Sequence, residues 1–286
     1  MLNIIDKLSK IIDIEFINEF KKIVKIKCKP MRKSKYTTEY YLYNIILVLT
    51  DFQKWKSLEL IHNKQPKFHY KTIQDKHLEL SNLNVYEETY RILIRKYRLS
   101  KLKKSANLIL FIDSALIYNK NGSEKIGYGQ NPKKKETKIS AICDTDKNIY
   151  STIITKINHK TINKNTLIDD AHTVEDSLKN LLEINLKANK IKLVGDKGYA
   201  RKVEDREKIF NDFNVELKYP HRRNQKIKTP EETKILLKKR YVIENVFAQL
   251  KSFDRICMRK DKLASTYKGF LFLAIILKFK KFLKKF

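Results

Sequence analysis

Residues 108–114 read LILFIDS, and this short stretch sets the interpretation of the rest of the chain. Five consecutive apolar residues lead to a single carboxylate, Asp113. A continuous apolar run of this length is typical of a strand that is buried on both faces of a sheet. We therefore expect a buried strand that ends at the rim of a sheet and presents Asp113 there.

The same pattern recurs further along the chain. Residues 191–196 read IKLVGD, so that a second apolar run ends on Asp196, and the residues KGY follow. A third acid, Glu244, lies in a segment whose apolar residues follow helical spacing. Two aspartates on strand ends and one glutamate on a helix are predicted to converge on a pair of metal ions.

The charge of the chain points to an anionic partner. The 286 residues include 62 Lys and Arg against 32 Asp and Glu, which gives a formal net charge of +30. Such a surplus repels itself unless an anion neutralises it. Nucleic acid is the first candidate, because each neutralised phosphate releases counterions. An acidic membrane surface and the codon bias of an AT-rich genome stay open as alternative explanations.

Cysteine usage and hydropathy exclude several classes of protein. The three cysteines, Cys28, Cys143 and Cys257, are odd in number and form no C-x-x-C pair. This argues against a disulfide framework or a zinc site and favours a reducing, intracellular compartment. The longest apolar run, residues 270–277, has eight residues and is too short to span a bilayer.

Residues 1–104 are predicted to form an N-terminal helical DNA-binding region. Residues 1–29 form amphipathic helices, and residues 30–100 form a compact module. In that module one helix begins near Thr37, a second carries Trp55, and a third begins at Tyr70. Helix, turn and helix with polar residues on the last element is the pattern of a DNA-reading domain. A module of three helices that only pack together is the alternative.

Residues 105–286 are predicted to form a catalytic domain with C-terminal helices. The order of its elements is that of an RNase H-like α/β domain: a mixed five-stranded sheet, flanked by helices, following an all-α helix-turn-helix-like domain. In that fold the first and fourth strands are neighbours, and the first three strands pair antiparallel. Asp113 and Asp196 then lie side by side, and a late helix delivers Glu244. The predicted strands cover 108–114, 137–144, 149–157, 190–196 and 215–218, and the helices cover 166–187, 199–212, 231–254 and 262–284.

The chemistry that suits three such carboxylates is phosphodiester transfer. Two divalent ions about 3.5–4 Å apart activate an oxygen nucleophile and stabilise the leaving oxyanion. Carboxylates favour hard ions, so we expect Mg²⁺ or Mn²⁺, with two ions in each active site. Without ions, carboxylates this close repel one another and raise one another's pKa.

Each of the three acids also has an ordinary structural explanation. Asp113 is placed to cap the turn that follows its strand, and Asp196 is placed to be a turn residue. Glu244 is placed to form an intrahelical ion pair with Arg240 or Lys251. Taken together, on the right elements and in the right order, the three residues favour a metal site.

Other charged residues are assigned to turns or to DNA. Asp144 and Asp146 fall in a predicted hairpin turn and are interpreted as turn residues. Relative to Glu244, the cations at positions −4 and +7 share one helical face, which indicates passing phosphates. Intrahelical pairing or a solvated surface is the alternative for these cations. The residues predicted to bind DNA are Arg240, Lys251, Lys138, Lys133, Lys134, Lys135, Arg222, Arg223, Lys71 and Lys76.

These residues resemble a known family, the DDE transposases of insertion sequences that carry a Tyr-Arg-Glu-Lys helix signature. The family pattern is Y-x2-R-x3-E-x6-K, which Arg240, Glu244 and Lys251 match, whereas Leu237 stands at the tyrosine position. The VGDKGY block at 194–199 and the FIDS block at 111–114 look like the family's two aspartate motifs. The likeness covers about residues 105–255 and extends more loosely over 35–100.

The resemblance implies cleavage at the terminal inverted repeats of a mobile element and joining of the 3′-hydroxyl ends to target DNA. By the same likeness Asp113, Asp196 and Glu244 are metal ligands, and Arg240 and Lys251 contact DNA. Double-stranded DNA is the implied partner. Because the chemistry requires two DNA ends to be held together, we also expect a homodimer in the synaptic complex, and we expect a soluble, DNA-associated, intracellular protein. The alternatives are a retired transposase that only binds DNA and an RNase H-like nuclease that only hydrolyses it.

Overall fold

A computed structural model describes most of the chain, and its residues fall into two compact units. The first unit draws on Met1–Leu93, Lys120–Ser123 and Leu250–Phe286, and the second on Ile94–Asn119 and Glu124–Gln249. The described residues are 13–28, 36–51, 54–62, 68–101, 107–128, 134–157, 169–184, 188, 190–221 and 228–283.

The first unit is helical, and two of its helices begin where the sequence predicts. The hydroxyl of Thr37 accepts a hydrogen bond from the backbone N–H of Tyr40 (3.2 Å) and so caps the helix that follows. The helix predicted to begin at Tyr70 begins there. The predicted second helix is a 3₁₀ turn, Trp55–Ser57, followed by one short helix. The helices from the N-terminus are α1 Ile14–Lys27, α2 Thr38–Thr50, α3 Leu58–Ile61, α4 Tyr70–Asn82 and α5 Val85–Lys101.

The C-terminal helix, α11 (Ala264–Leu283), belongs to this helical unit, whereas its sequence position predicts that it accompanies the catalytic region. The physical reason is that residues 270–276 are buried on every side and pack within the unit, where α11 contacts α4. The two helices approach closely at Gly269, where an added Cβ would lie 2.4 Å from the Ser81 hydroxyl. The functional division at residue 104 stays a prediction.

A buried histidine joins these helices. In His77, Nδ1 lies 3.0 Å from the Tyr86 hydroxyl and Nε2 lies 3.1 Å from the carbonyl oxygen of Thr266. Burial lowers the pKa of His77 to about 3, so the ring is neutral and structural. Its side chain is therefore not available on a DNA-reading face. No helix in the described part of the chain has both the length and the apolar character needed to cross a membrane.

The strands of the second unit are β1 Leu108–Asn119, β2 Gly127–Tyr128, β3 Lys135–Asp144, β4 Ile149–Thr155, β5 Ile191–Val194 and β6 Val215–Lys218. They form a mixed sheet in the order β2-β3-β1-β5-β6, with β4 beside β3. The first three predicted strands correspond to β1, β3 and β4, and their predicted antiparallel pairing is confirmed. The first and fourth predicted strands, β1 and β5, are neighbours as predicted and pair parallel. The described residues contain seven strands rather than the predicted five, because two-residue strands leave no alternating pattern in a sequence. The seventh strand, β7 (Met258–Arg259), lies among the residues of the first unit.

Strand β1 is longer than predicted. Its parallel pairing with β5 ends at Phe111, but its antiparallel pairing with β3 continues to Tyr118, opposite Glu136. Asp113 therefore lies within β1 and not at its end. What ends near Asp113 is the parallel pairing with β5, whose last paired residue, Phe111, lies two positions before it.

The helix predicted over 231–254 is two helices, α8 (Glu231–Lys238) and α9 (Tyr241–Lys251). Between them, Lys239 and Arg240 donate backbone N–H bonds three residues back, to the carbonyls of Leu236 (3.0 Å) and Leu237 (3.1 Å). Such tight 3₁₀-type bonds interrupt the α-helix at Arg240. The remaining helices are α6 Asp169–Leu182, α7 Val203–Phe213 and α10 Asp254–Cys257, with a 3₁₀ turn at Lys197–Tyr199.

Candidate active site

The register of two parallel strands brings the two aspartates to one level of the sheet. The paired residues of β1 and β5 run from Leu108 opposite Ile191 to Phe111 opposite Val194. Asp113 and Asp196 each follow the last paired residue of their strand by two positions. The negative charge of Asp196 contributes to raising the pKa of Asp113, as expected for neighbouring carboxylates.

The turn after β5 fixes the position of Asp196. Its Oδ1 accepts a hydrogen bond from the backbone N–H of Gly198 (2.7 Å). Asp196 is therefore a turn residue, which is the alternative role that its sequence position predicted. The ring of Tyr199 is buried against Gly195, where an added Cβ would lie 2.7 Å from the ring. The backbone N–H of Gly195 donates to the carbonyl of Lys218 (2.9 Å) in β6. These contacts explain why glycine precedes the aspartate.

A single arginine joins the other two acids. Arg240 donates from Nη1 to Oδ2 of Asp113 (2.7 Å) and from Nη2 to Oε1 of Glu244 (2.6 Å). The side chains of Asp113 and Arg240 are 21% and 23% exposed, and that of Glu244 is 56% exposed. The pairing of Arg240 with Glu244 within one segment was predicted, but its contact with Asp113, 127 residues away, was not.

The electrostatics of Asp113 are dominated by burial. Burial raises the pKa of Asp113, and the charge of Asp196 raises it further. The backbone N–H of Ser114, which donates to Oδ1 (2.8 Å), and the guanidinium of Arg240 oppose that shift. Asp113 therefore has one neighbouring carboxylate, Asp196, whose charge raises its pKa, and one neighbouring guanidinium, Arg240, whose charge lowers it.

The donor set fits a hard divalent ion, although the side chains are not arranged around one. Asp113, Asp196 and Glu244 offer only carboxylate oxygens, which are the ligands that Mg²⁺ and Mn²⁺ prefer. Within the described ranges, no group of three or more His, Cys, Asp or Glu side chains lies close enough together to hold a metal ion. Arg240 supplies the positive charge between two of the three acids instead.

The competing acid, Asp144, is a turn residue, as predicted. It is buried, and its Oδ1 accepts from the backbone N–H groups of Asp146 (2.8 Å) and Asn148 (2.9 Å). Its Oδ2 accepts from the side-chain amide of Asn148 (2.9 Å) and from the Tyr150 hydroxyl (2.8 Å). Four local donors therefore surround this carboxylate.

The cations predicted on the sheet occupy different environments. Lys138 is only 4% exposed within β3, so in this structure it is not presented to a phosphate. Its burial follows from its central place in β3, where it pairs with Leu116 on one side and Thr155 on the other. Lys134 and Lys135 are exposed at the start of the same strand. Lys133, Arg222 and Arg223 lie outside the described residues.

The cations predicted on helices are more accessible. Lys71 is exposed in the first turn of α4, while Lys76 on the same helix is half-buried and forms an ion pair with Glu79 (2.9 Å). Lys251 is half-buried at the last residue of α9, the helix that also carries Glu244. These residues remain predicted DNA contacts.

Comparison with known protein families shows which family the chain belongs to. The family described as Transposase DDE domain matches residues 104–278, which is more than half of the chain. The chain belongs to the DDE transposase family. Its sheet order and the family together define an RNase H-like catalytic domain. Members of this family use divalent metal ions to act on DNA. A comparison with curated proteins finds no match.

One solved transposase structure shares the fold at low sequence identity. A structure of the piggyBac transposase, in a synaptic complex with hairpin DNA, is 11% identical with a TM-score of 0.51; the match covers 99% of this chain and 74% of that one. This likeness supports the fold of the DDE transposase and nothing finer. The catalytic domain of the Mos1 mariner transposase is 16% identical over 66% of this chain and 87% of that one, with a TM-score of 0.26.

Proposed function

We propose that this DDE transposase cuts DNA at the terminal inverted repeats of a mobile element and joins the freed 3′-hydroxyl ends to target DNA. The observation that carries the proposal is the double contact of Arg240, which draws Asp113 and Glu244 to one guanidinium. Asp196 lies level with Asp113 in the neighbouring strand. The proposal takes these three acids, which come from three distant segments of the chain, as one site.

In this proposal Asp113, Asp196 and Glu244 hold two Mg²⁺ or Mn²⁺ ions. When bound, the ions make the attacking oxygen nucleophilic and stabilise the leaving oxyanion. The protein contributes orientation: the N–H groups of Ser114 and Gly198 each hold one carboxylate oxygen, of Asp113 and Asp196 respectively. The planar fork of Arg240 suits a phosphate as well as a carboxylate, so the same side chain is placed to bind the DNA backbone.

The rest of the chain is proposed to hold DNA. A net charge of +30 supplies strong, salt-dependent attraction for phosphates. Residues 1–104 are proposed to bind the element ends, with Lys71 exposed for phosphate contact, and residues 105–286 are proposed to carry the chemistry. Lys134 and Lys135 extend the basic surface of the sheet. Because two ends must be held together for joining, a homodimer is the proposed working assembly.

The test is a cleavage and joining assay with Mg²⁺. The substrate is linear duplex DNA that carries the sequences flanking the gene of this chain, mixed with a plasmid target. We expect specific cuts at the element ends and joined products, both absent with Asp113→Asn. Binding without any cutting would instead identify a retired transposase. Cutting without joined products would identify a nuclease that only hydrolyses.

A further inference from the structure

Asp113 and Glu244 are joined through Arg240, whose guanidinium donates one hydrogen bond to each of them. The same carboxylates are the proposed ligands of the metal ions. We propose that Arg240 is a positioning residue that acts as an internal cation: it holds these two acids in the metal-free protein, and divalent ions must displace it to bind. The inference rests on the proposed function, because it concerns the same three carboxylates.

The geometry makes the guanidinium and a metal ion competitors. Nη1 of Arg240 lies 2.7 Å from Oδ2 of Asp113. A Mg²⁺ ion bound to the same oxygen sits about 2.1 Å away, which leaves it less than about 5 Å from that nitrogen. A divalent ion and a guanidinium at this separation repel strongly in a partly buried site. The other oxygen of Asp113 is already engaged by the N–H of Ser114 (2.8 Å).

The position of Arg240 in the chain allows it to leave. It lies in the turn between α8 and α9, where the backbone follows 3₁₀-type bonds, and not inside a helix. Its side chain is 23% exposed, so the guanidinium borders solvent. A displaced guanidinium keeps its five donors and its charge, and a DNA phosphate is the acceptor that best matches its fork.

The contacts also explain how the acids stay together without ions. Burial and the charge of Asp196 both disfavour the ionised form of Asp113. The guanidinium of Arg240, which donates to Asp113 and to Glu244, offsets part of this cost through charge-assisted hydrogen bonds. Arg240 therefore positions the ligands and at the same time weakens the apparent affinity of the site for metal.

The experiment measures Mn²⁺ binding to the full chain without DNA, by the electron paramagnetic resonance signal of free Mn²⁺. We expect Arg240→Gln to raise the affinity of the site about 10-fold, since the partly buried bond to Asp113 is worth about a tenfold change and the exposed pair with Glu244 adds little. Arg240→Lys keeps the charge but cannot fork to both acids, so it should give an intermediate affinity. The matched control is Lys239→Gln, which removes an exposed charge one residue away and should change the affinity less than twofold.

Each outcome separates this inference from the proposed function. If Arg240→Gln binds Mn²⁺ no more tightly than the wild type, or if Lys239→Gln has an equal effect, the internal-cation role is overturned. In that case a loss of affinity in Asp113→Asn still supports the metal site. If Asp113→Asn leaves Mn²⁺ binding unchanged in both the wild-type and the Arg240→Gln backgrounds, the inference and the metal site both fail. Thermal melting confirms that each variant is folded, and Arg240→Lys supplies the comparison if Arg240→Gln is not.

Discussion

Asp113 and Asp144 belong to the same sheet, and burial raises the pKa of both, yet their surroundings differ. Asp144 is enclosed by four donors, from its own turn and the start of β4. Asp113 accepts one bond from its own backbone neighbour and one from Arg240, 127 residues away. A carboxylate satisfied by local donors stabilises a turn. A carboxylate that pairs with a cation from a distant segment, as Asp113 does with Arg240, is proposed to exchange that cation for a metal ion.

The largest effect should come from neutralising the acids of the site. Asp113→Asn or Asp196→Asn should lower DNA cleavage by on the order of 10³-fold or more, because loss of an ion removes several kcal/mol of transition-state stabilisation. The measurement is the rate of Mg²⁺-dependent cleavage under single-turnover conditions. If Asp144→Asn lowered the cleavage rate as much as Asp113→Asn in equally folded samples, the assignment of a catalytic role to Asp113 and a structural role to Asp144 would be wrong.

The turn carboxylate should matter for stability instead. Asp144→Ala leaves buried donors of Asn148 and Tyr150 without their acceptor, and should lower the free energy of unfolding by about 3 kcal/mol. Tyr150→Phe removes one of those donors and should cost about 1 kcal/mol. Urea unfolding measures both changes. A loss below about 0.5 kcal/mol for Asp144→Ala would contradict the account of this turn.

A smaller effect is expected at the close contact beside Asp196. Gly195→Ala places a methyl group against the ring of Tyr199 and should cost about 1–3 kcal/mol of stability through overpacking. Because Asp196 is the next residue, cleavage should fall as well. Combining Gly195→Ala with Tyr199→Leu should cost less than the sum of the two single changes, since the clash is shared. Strict additivity in urea unfolding would show that the contact is not responsible.

The smallest effect is a pH dependence of stability. The folded pKa of Asp113 is raised, so the folded state holds this proton more tightly than the unfolded chain does, and ionisation of Asp113 lowers stability as pH rises. Asp113→Asn removes that penalty. The variant should therefore be more stable than the wild type at pH 7, with a difference that shrinks as pH falls toward the unfolded pKa of about 3.9. A difference that grows on acidification would reverse the sign and refute the assignment.

Much of this comparison was accessible from the sequence, because it depends on local patterns. The apolar runs before Asp113 and Asp196 predicted two neighbouring strands, and the turn around Asp144 predicted its role. These inferences need only the buried-strand and turn signals of short segments.

Other features depend on tertiary contacts that no local pattern records. The extension of β1 to Asn119 follows from its partner β3, and the break at Arg240 follows from backbone bonds between two helices that read as one. The grouping of α11 with the N-terminal helices depends on where its apolar face finds a partner. The bond between Arg240 and Asp113 joins segments that only the folded chain brings together.

The most direct test of the central claim is a crystal structure of the full chain with Mn²⁺, in which anomalous scattering locates the ions. The account predicts two Mn²⁺ ions about 3.5–4 Å apart, with carboxylate oxygens of Asp113, Asp196 and Glu244 as ligands and with Arg240 moved away from Asp113. Ions bound elsewhere, with Arg240 still joining Asp113 and Glu244, would contradict it.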